Sequence, residues 1–247
     1  MSSRHGLAAL ISALAAAIGL FAAAPVNALA AGAMAPSAVG TDISWPQCGQ
    51  ALPSGYNFAV VGVTGGKPFT THDCFGNEFR WATTTGMGPA ELYINLDYGK
   101  SAIGPLECVD SEDGCLAYNY GYSAAATAYR FAARQTAGSS RAVDLWWLDV
   151  ETENYWSDDP LANSYVIQGA LDYLQRSMGK TVGVYSTSRQ WGIIAGGFAP
   201  PQTANWVAGA SSLDDWGQCG RGLWPGATVW AFQYLNFDID LDQNRSC

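Results

Sequence analysis

Short apolar runs alternate with stretches of helical character along most of this 247-residue chain. The clearest runs are FAVVGV at 58–63, ELYINL at 91–96, VDLWWLDV at 143–150 and TVGVY at 181–185. Near-continuous apolar runs of this kind are typical of parallel strands that are buried on both faces. Parallel neighbours need crossover connections, so the alternation predicts a parallel sheet with helices packed outside it.

Helix signals separate these runs. Asp159 is a good N-cap, Pro160 suits the first helical turn, and Gly179 marks the end of the same helix. Ser123 is the predicted N-cap of an earlier helix that ends before Gly138. The predicted helices span 74–84, 124–137, 160–178 and 190–195.

The strand–helix rhythm changes after Tyr185, where helical stretches become short. A short first strand around Ile43 and Trp45, together with three late strands, brings the count to eight. The α/β pattern therefore predicts a single irregular TIM-like (β/α) barrel. A doubly wound sheet is the alternative, although no Gly-rich turn follows the first strand. The late strand-like pieces lie at 204–209, at 228–234 and near Ile239.

The N-terminus has the order of a secretory signal peptide, predicted over residues 1–30. Arg4 and His5 precede a charge-free, Ala-rich run at 7–24, and Ala28-Leu29-Ala30 offers a small-x-small cleavage site. An uncleaved membrane anchor is the alternative, because the run has about the length of a short membrane span. We therefore expect a secreted protein without stable membrane insertion.

The remainder is predicted to be a flexible leader over 31–40 and one barrel domain over 41–247. All six cysteines lie in that domain, and an even number in an exported chain indicates disulfides. Six cysteines allow fifteen pairings, of which we favour the sequential one. A zinc site is the rival, but the chain has no CxxC pair and His72 would be the one histidine left after cleavage. The favoured pairs are Cys48–Cys74, Cys108–Cys115 and Cys219–Cys247.

The charge balance and the scarcity of histidine exclude several function classes. The net charge is -9, and nucleic-acid affinity comes mainly from Lys and Arg, so we expect no nucleic-acid partner. Two histidines and the absence of a GxSxG motif argue against a serine hydrolase triad. Gly65-Gly66-Lys67 lacks the spacing of a phosphate-binding loop. We expect a monomer with no metal and no cofactor.

Acidic side chains lie at strand ends that would meet at one mouth of the barrel. Alternation along the fourth strand puts Asp149 and Glu151 on the inward face, with Cα atoms ~6–7 Å apart. Two carboxylates this close tend to raise one pKa, as a general acid requires. Asp42 lies on the first strand, beside the last strand of a closed barrel. The last strand carries Asp238, Asp240 and Asp242, whose spacing also resembles the start of a calcium loop without its glycine.

Aromatic side chains also lie on or near the predicted strand ends. Aromatic faces pack against sugar C–H surfaces, while neighbouring polar groups bind hydroxyls. Acids with an aromatic rim therefore predict a carbohydrate cleft, and core packing is the alternative for each ring. The aromatic set is Trp45, Tyr93, Trp147, Tyr185, Trp191, Trp206, Trp230 and Tyr234.

Several motifs, taken in order, resemble glycoside hydrolase family 25, the Chalaropsis-type lysozymes or N-acetylmuramidases, over most of residues 40–243. Gly40-Thr41-Asp42-Ile43-Ser44 is similar to the family's opening Gly-x-Asp-x-Ser, and Leu148-Asp149-Val150-Glu151 is similar to its Asp-x-Glu signature. The resemblance implies an irregular barrel of five βα units and three final strands. Later strands of the family resemble Val184-Tyr185-Ser186, Trp206-Val207-Ala208, Phe232-Gln233-Tyr234 and Ile239-Asp240-Leu241.

The resemblance implies a glycosidase that cleaves peptidoglycan or a related amino-sugar polymer. Glu151 would protonate the leaving glycosidic oxygen, and Asp149 would steady the positive charge on the sugar through the substrate's N-acetyl group. Asp42 and Asp240 would line the same pocket, with Asp238 as the alternative to Asp240. The implied substrate-binding side chains are Trp45, Tyr93, Tyr185, Trp206, Gln233 and Tyr234.

The second strand departs from the family pattern. The family strand usually ends Lys-Ala-Thr-Glu-Gly, whereas this chain has Gly62-Val63-Thr64-Gly65-Gly66. The six cysteines and an insertion at 97–118 are further departures. They point to a divergent branch and leave two alternatives: a catalytically inactive wall-binding protein on the same barrel, or a glycosidase for a different polysaccharide.

Overall fold

The computed structural model describes residues 34–84, 88, 90–109, 113–238 and 241–247. Eight strands in this part of the chain close into a barrel in sequence order. Neighbours from the first to the seventh strand are parallel, and the eighth is antiparallel to both the seventh and the first. The predicted α/β barrel is confirmed. The strands are β1 Val39–Ile43, β2 Phe58–Gly62, β3 Glu91–Asn95, β4 Leu145–Asp149, β5 Thr181–Ser186, β6 Ala204–Ala208, β7 Val229–Asn236 and β8 Leu241–Ser246.

The α-helices of the described residues follow β2, β3, β4 and β5, whereas β1 is followed by a 3₁₀ turn, Trp45–Gln47. Trp45, predicted to lie on the first strand, begins this turn instead. Ser44 caps the turn through its contacts with Gln47, and Pro46 has no N–H to offer a strand ladder. The helices are α1 Phe75–Thr84, α2 Asp113–Gln135, α3 Pro160–Asp172 and α4 Ser188–Ile194.

Helix α2 begins eleven residues before its predicted start. Ser123 is not its N-cap but lies inside the helix, where its Oγ donates to the carbonyl of Ile103 (2.7 Å). The first turns contain Gly114 and Gly121, which weaken helix propensity. They are helical because they pack closely against α3, since a Cβ at Gly121 would lie 1.9 Å from the carbonyl oxygen of Val166.

This close approach predicts that Gly121→Ala destabilises the protein by ~1–3 kcal/mol, because α2 and α3 must move apart to admit a methyl group. Gly192→Ala is the matched control. Gly192 also lies in a helix, α4, but a Cβ there meets nothing within 4 Å, so we expect a gain of ~0.5–1 kcal/mol. Urea unfolding of both variants measures the difference, and equal effects would refute the close contact.

Two predicted boundaries need correction, at the end of α3 and at the start of the barrel. Asp159 caps α3 as predicted, accepting from the Leu161 N–H (2.9 Å), but the α-helix widens into a π-helical segment at Tyr173–Ser177. Strand β1 starts at Val39, inside the segment predicted to be a flexible leader. The predicted signal peptide lies outside the described residues. In the described residues, no helix is long and apolar enough to span a membrane.

All three predicted disulfides are present. Two apolar clusters pack against the strands, one inside the barrel and one between the strands and the helices. Leu145 and Trp147 of β4 face the barrel interior, whereas Trp146 and Leu148 face the helices. The predicted alternation along the fourth strand is therefore confirmed, and it directs the side chain of Asp149 inward at the end of the strand.

Candidate active site

The centre of the barrel mouth is formed by Asp149, the last residue of β4, and by Glu151 two residues later. Asp149 is buried, while Glu151 is partly exposed. The two carboxyl groups lie within hydrogen-bonding reach of each other. One acid is therefore held inside the mouth, and the other can meet a ligand.

Asp149 is oriented by side chains from the two preceding strands. Asn95 Nδ2, at the end of β3, donates to Asp149 Oδ2. Thr64 Oγ1, just beyond β2, donates to Asn95 Oδ1 (2.7 Å) and so fixes which way the amide points. Among the residues that the structure describes, no group donates a hydrogen bond to the second oxygen, Asp149 Oδ1, although that oxygen is buried.

Burial raises the pKa values of both acids. Burial and the nearby charge of Glu151 hold the pKa of Asp149 well above its usual value. Burial and the charge of Glu153 raise the pKa of Glu151 to about 7, while its hydrogen bond with Asp149 acts in the opposite direction. The pair therefore retains a proton near neutral pH, which is the condition for a general acid.

Asp42 lies in a hydrogen-bonded chain that crosses the barrel. Gln233 Nε2 (3.0 Å) and Asn244 Nδ2 (2.6 Å) both donate to Asp42 Oδ2. Tyr185 Oη donates to Gln233 Oε1 (2.7 Å), and Trp206 Nε1 donates to Asn244 Oδ1 (2.8 Å). Burial raises the pKa of Asp42, and the two amide donors lower it. These hydrogen bonds hold a third acid in place, close enough for its charge to act on both members of the pair.

The acid that β8 brings to the mouth is Asp242. Asp240 lies outside the described residues, and Asp238 is exposed in the turn before β8. Asp242 pairs directly with Asp42 across the antiparallel β1–β8 ladder, so the two side chains lie on the same face. Because β8 runs opposite to the other strands, its first residues lie at the mouth.

The predicted substrate-binding side chains divide into exposed and buried groups. Trp45 is 53% exposed beside Gly66, where a Cβ would lie 3.0 Å from the indole Nε1. Tyr93 is partly exposed and packs edge-on against Trp206. Tyr234 is partly exposed on β7, but alternation puts it on the face opposite to Gln233 and thus outside the barrel.

Trp206, Gln233 and Tyr185 are buried in the barrel interior, where they belong to the chain of hydrogen bonds around Asp42. In this structure they support an acid rather than present a surface to a sugar. Core packing, the alternative given for each ring, describes Trp206 and Tyr185 in this structure, and a part for these three side chains in substrate binding stays a prediction.

Sequence analysis missed Asn95, Asn244 and Glu153 as site residues. Asn95 could have been found, because alternation from Tyr93 puts it on the inward face at the end of β3. Glu153 continues the spacing of Asp149 and Glu151, but it lies in the exposed loop, where Gln190 Nε2 donates to its Oε2 (3.0 Å). Within the described residues, no group of three or more His, Cys, Asp or Glu side chains could hold a metal ion.

Comparisons with known proteins agree with this geometry. A family model described as lysozyme-like protein 1 matches residues 117–208, which include both acids of the pair. A probable GH family 25 lysozyme from Dictyostelium discoideum is 39% identical over 89 residues, covering 34% of this chain. The chain matches only 40% of the length of that protein.

Solved structures share the fold at low identity. A muramidase from Acremonium alcalophilum aligns with a TM-score of 0.60 and 17% identity, covering 85% of this chain and 93% of its own. A family 25 glycosyl hydrolase from Bacillus anthracis aligns with a TM-score of 0.57 and 15% identity, covering 85% and 89%. The chain resembles glycoside hydrolase family 25 in three respects: its barrel, the order of its acidic strand ends, and the central segment that the family model matches.

Proposed function

We propose that this protein is a secreted glycosidase that cleaves peptidoglycan or a related amino-sugar polymer, with Glu151 as the general acid. The observation that carries the proposal is the pair of acids at the mouth of the barrel, with Asp149 buried at the end of β4 and Glu151 partly exposed two residues later. The active sites of such barrels lie at this end. The three disulfides suit an extracellular location.

The proposed reaction uses the proton that the pair shares. Glu151, the more exposed member, passes it to the glycosidic oxygen as the bond to the sugar carbon breaks. Glu151 is then ionised as positive charge develops on the sugar, so the electrostatic attraction grows toward the transition state. A water molecule then adds to the sugar carbon, and its proton returns to Glu151. Asp149 acts on that charge through the N-acetyl group of the substrate. Asn95 donates a hydrogen bond to the Asp149 carboxylate and so keeps it in position.

The rim offers surfaces on which a glycan chain can lie. Trp45 and Tyr155 are exposed on loops that follow β1 and β4, and Tyr98 packs against the ring of Tyr155 (6.2 Å between centroids). Such rings suit the C–H faces of sugars. We propose a polysaccharide as the partner and a monomeric protein; none of the three rings contributes to the proton transfer.

The identity of the new reducing end tests this function. We expect the purified protein to release reducing ends from peptidoglycan, and mass spectrometry after borohydride reduction should find them on N-acetylmuramic acid. A panel of chitin and xylan controls for substrate class. Release from chitin or xylan alone would assign a different polysaccharide, and reduced N-acetylglucosamine ends would contradict cleavage at muramic acid.

A catalytically inactive wall-binding protein remains the second candidate, favoured by the uncharged rim after β2. At Gly62 a Cβ would lie 2.5 Å from Ser44 Cβ and 2.8 Å from Tyr93 Oη, so these two side chains fill the space where the family pattern has a charged group. Co-sedimentation with purified cell walls without any release of reducing ends would favour this candidate over the enzyme.

A further inference from the structure

A groove of about 740 Å³ lies at the end of the barrel opposite to the mouth. It is formed where α2 ends, before β4 begins, and where the π-helical segment leads to β5. Its lining includes Tyr129, Arg130, Arg134, Arg141, Tyr173 and Met178. None of these side chains contributes to the proposed active site.

The three arginines of this groove are exposed and lack acidic partners. No Asp or Glu oxygen lies within 4 Å of their guanidinium groups in the described part of the chain. Arg130 and Arg134 are four residues apart on α2, a like-charge spacing that destabilises a helix. Lys180 adds a fourth positive charge nearby, since its Nζ donates to the carbonyl oxygen of Arg141 (2.6 Å).

Two of the positive charges lie close to a single side chain of the groove, Tyr173. Burial raises the pKa of the Tyr173 phenol, and Arg130 and Arg141 act in the opposite direction because their guanidinium groups lie close to it. The whole chain has a net charge of -9, and several of its acids lie at the mouth. The groove therefore presents positive charge on a chain that is acidic overall.

We propose that this groove binds an anionic polymer with repeating phosphodiester groups, such as a polyol-phosphate chain of a cell wall. Arginine binds phosphate through paired N–H groups, which favours phosphate over an isolated carboxylate. A volume of about 740 Å³ exceeds what one free phosphate ion fills and suits several repeat units. The net charge of -9 disfavours a long nucleic acid, which would extend beyond the groove. This site goes beyond the proposed function and does not depend on it.

Binding of poly(glycerol phosphate), measured by isothermal titration calorimetry, tests the proposal. We expect Arg130→Gln/Arg134→Gln and Arg141→Gln each to weaken binding by about tenfold or more, because each removes a charge-assisted contact. Raising the salt concentration should also weaken binding. Arg189→Gln is the matched control, since Arg189 is likewise exposed and has no acidic partner among the described residues, but lies on α4, outside the groove.

The same titration contains the outcomes that overturn the proposal. Equal affinity of the wild type and the double variant would exclude the arginines. Binding of duplex DNA, of inorganic phosphate or of uncharged dextran as tightly as the polymer would exclude a polyol-phosphate site. Thermal unfolding shows that the variants are folded: removal of like charges should leave the midpoint unchanged or raise it. A failure of peptidoglycan cleavage would leave this test unaffected, because its readout is binding alone.

Discussion

Replacement of Glu151 by glutamine is expected to lower the rate of reducing-end release from peptidoglycan by ~10²–10⁴-fold. Glutamine keeps the shape of the side chain but has no acidic proton to give to the leaving oxygen. Far-ultraviolet circular dichroism should remain unchanged, because Glu151 follows β4 and is not part of a strand. Equal rates for the variant and the wild type would remove Glu151 from the mechanism.

The pH profile of the wild type supplies an independent check. Since the pKa of Glu151 is raised to about 7, the protonated and active form prevails below pH 7. The rate should therefore fall as the pH rises through 7. A profile that stays flat from pH 5 to pH 9 would contradict a proton donor with this pKa.

Glu153→Gln is the matched control for this profile. It makes the same chemical change two residues away, in an exposed side chain whose charge raises the pKa of Glu151. Without that charge, the alkaline fall in rate should move to lower pH, while the rate at acidic pH stays near that of the wild type. A loss as large as that of Glu151→Gln would mean that the two acids cannot be assigned separate roles.

Local patterns were sufficient to predict the barrel and the central acid pair. Alternation along VDLWWLDV predicts which residues face inward. The end of that strand puts Asp149 and Glu151 at the mouth of the barrel. Buried parallel strands leave a strong apolar signal, so their positions were predicted closely. Sequential pairing of the cysteines followed from short separations and was also correct.

What could not be predicted depends on contacts between distant parts of the chain. The antiparallel register of β8 brings Asp242 opposite Asp42 and Asn244 within reach of its carboxylate, and no local pattern specifies that register. Burial of Trp206 likewise results from closure of the barrel. The early start of α2 comes from packing against α3, which outweighs the weak propensity of its first turns.

A second large effect concerns Glu91, an acid that strand-end reasoning passed over. It is the first residue of β3, buried in the barrel interior far from the mouth, and its Oε2 accepts from Trp147 Nε1 (2.7 Å). Burial raises the pKa of Glu91 to about 8, although the indole donor acts in the opposite direction. The folded protein therefore holds a proton on Glu91 that the unfolded chain releases at much lower pH.

The stability that this proton supplies depends on pH in a definite direction. It is fully present below pH 4.5, the value of the unfolded chain, and is lost as the pH rises through about 8. A tenfold change in proton affinity corresponds to ~1.4 kcal/mol, so the free energy of unfolding should fall by on the order of 5 kcal/mol across this window. Asp42 and Asp149 have raised pKa values too, and their contributions have the same sign.

Glu91→Gln separates the contribution of Glu91 from the others, because an uncharged amide of the same shape can still accept from the Trp147 indole. Urea unfolding between pH 4.5 and pH 8 should show a markedly smaller loss of stability in this variant, which becomes more stable than the wild type at the alkaline end. Glu107→Gln, which alters an exposed glutamate, should leave the wild-type dependence unchanged. Parallel curves for the wild type and Glu91→Gln would mean that the folded protein accommodates the ionised carboxylate. The barrel interior would then have to supply solvation for that charge from groups other than the single indole donor of Trp147.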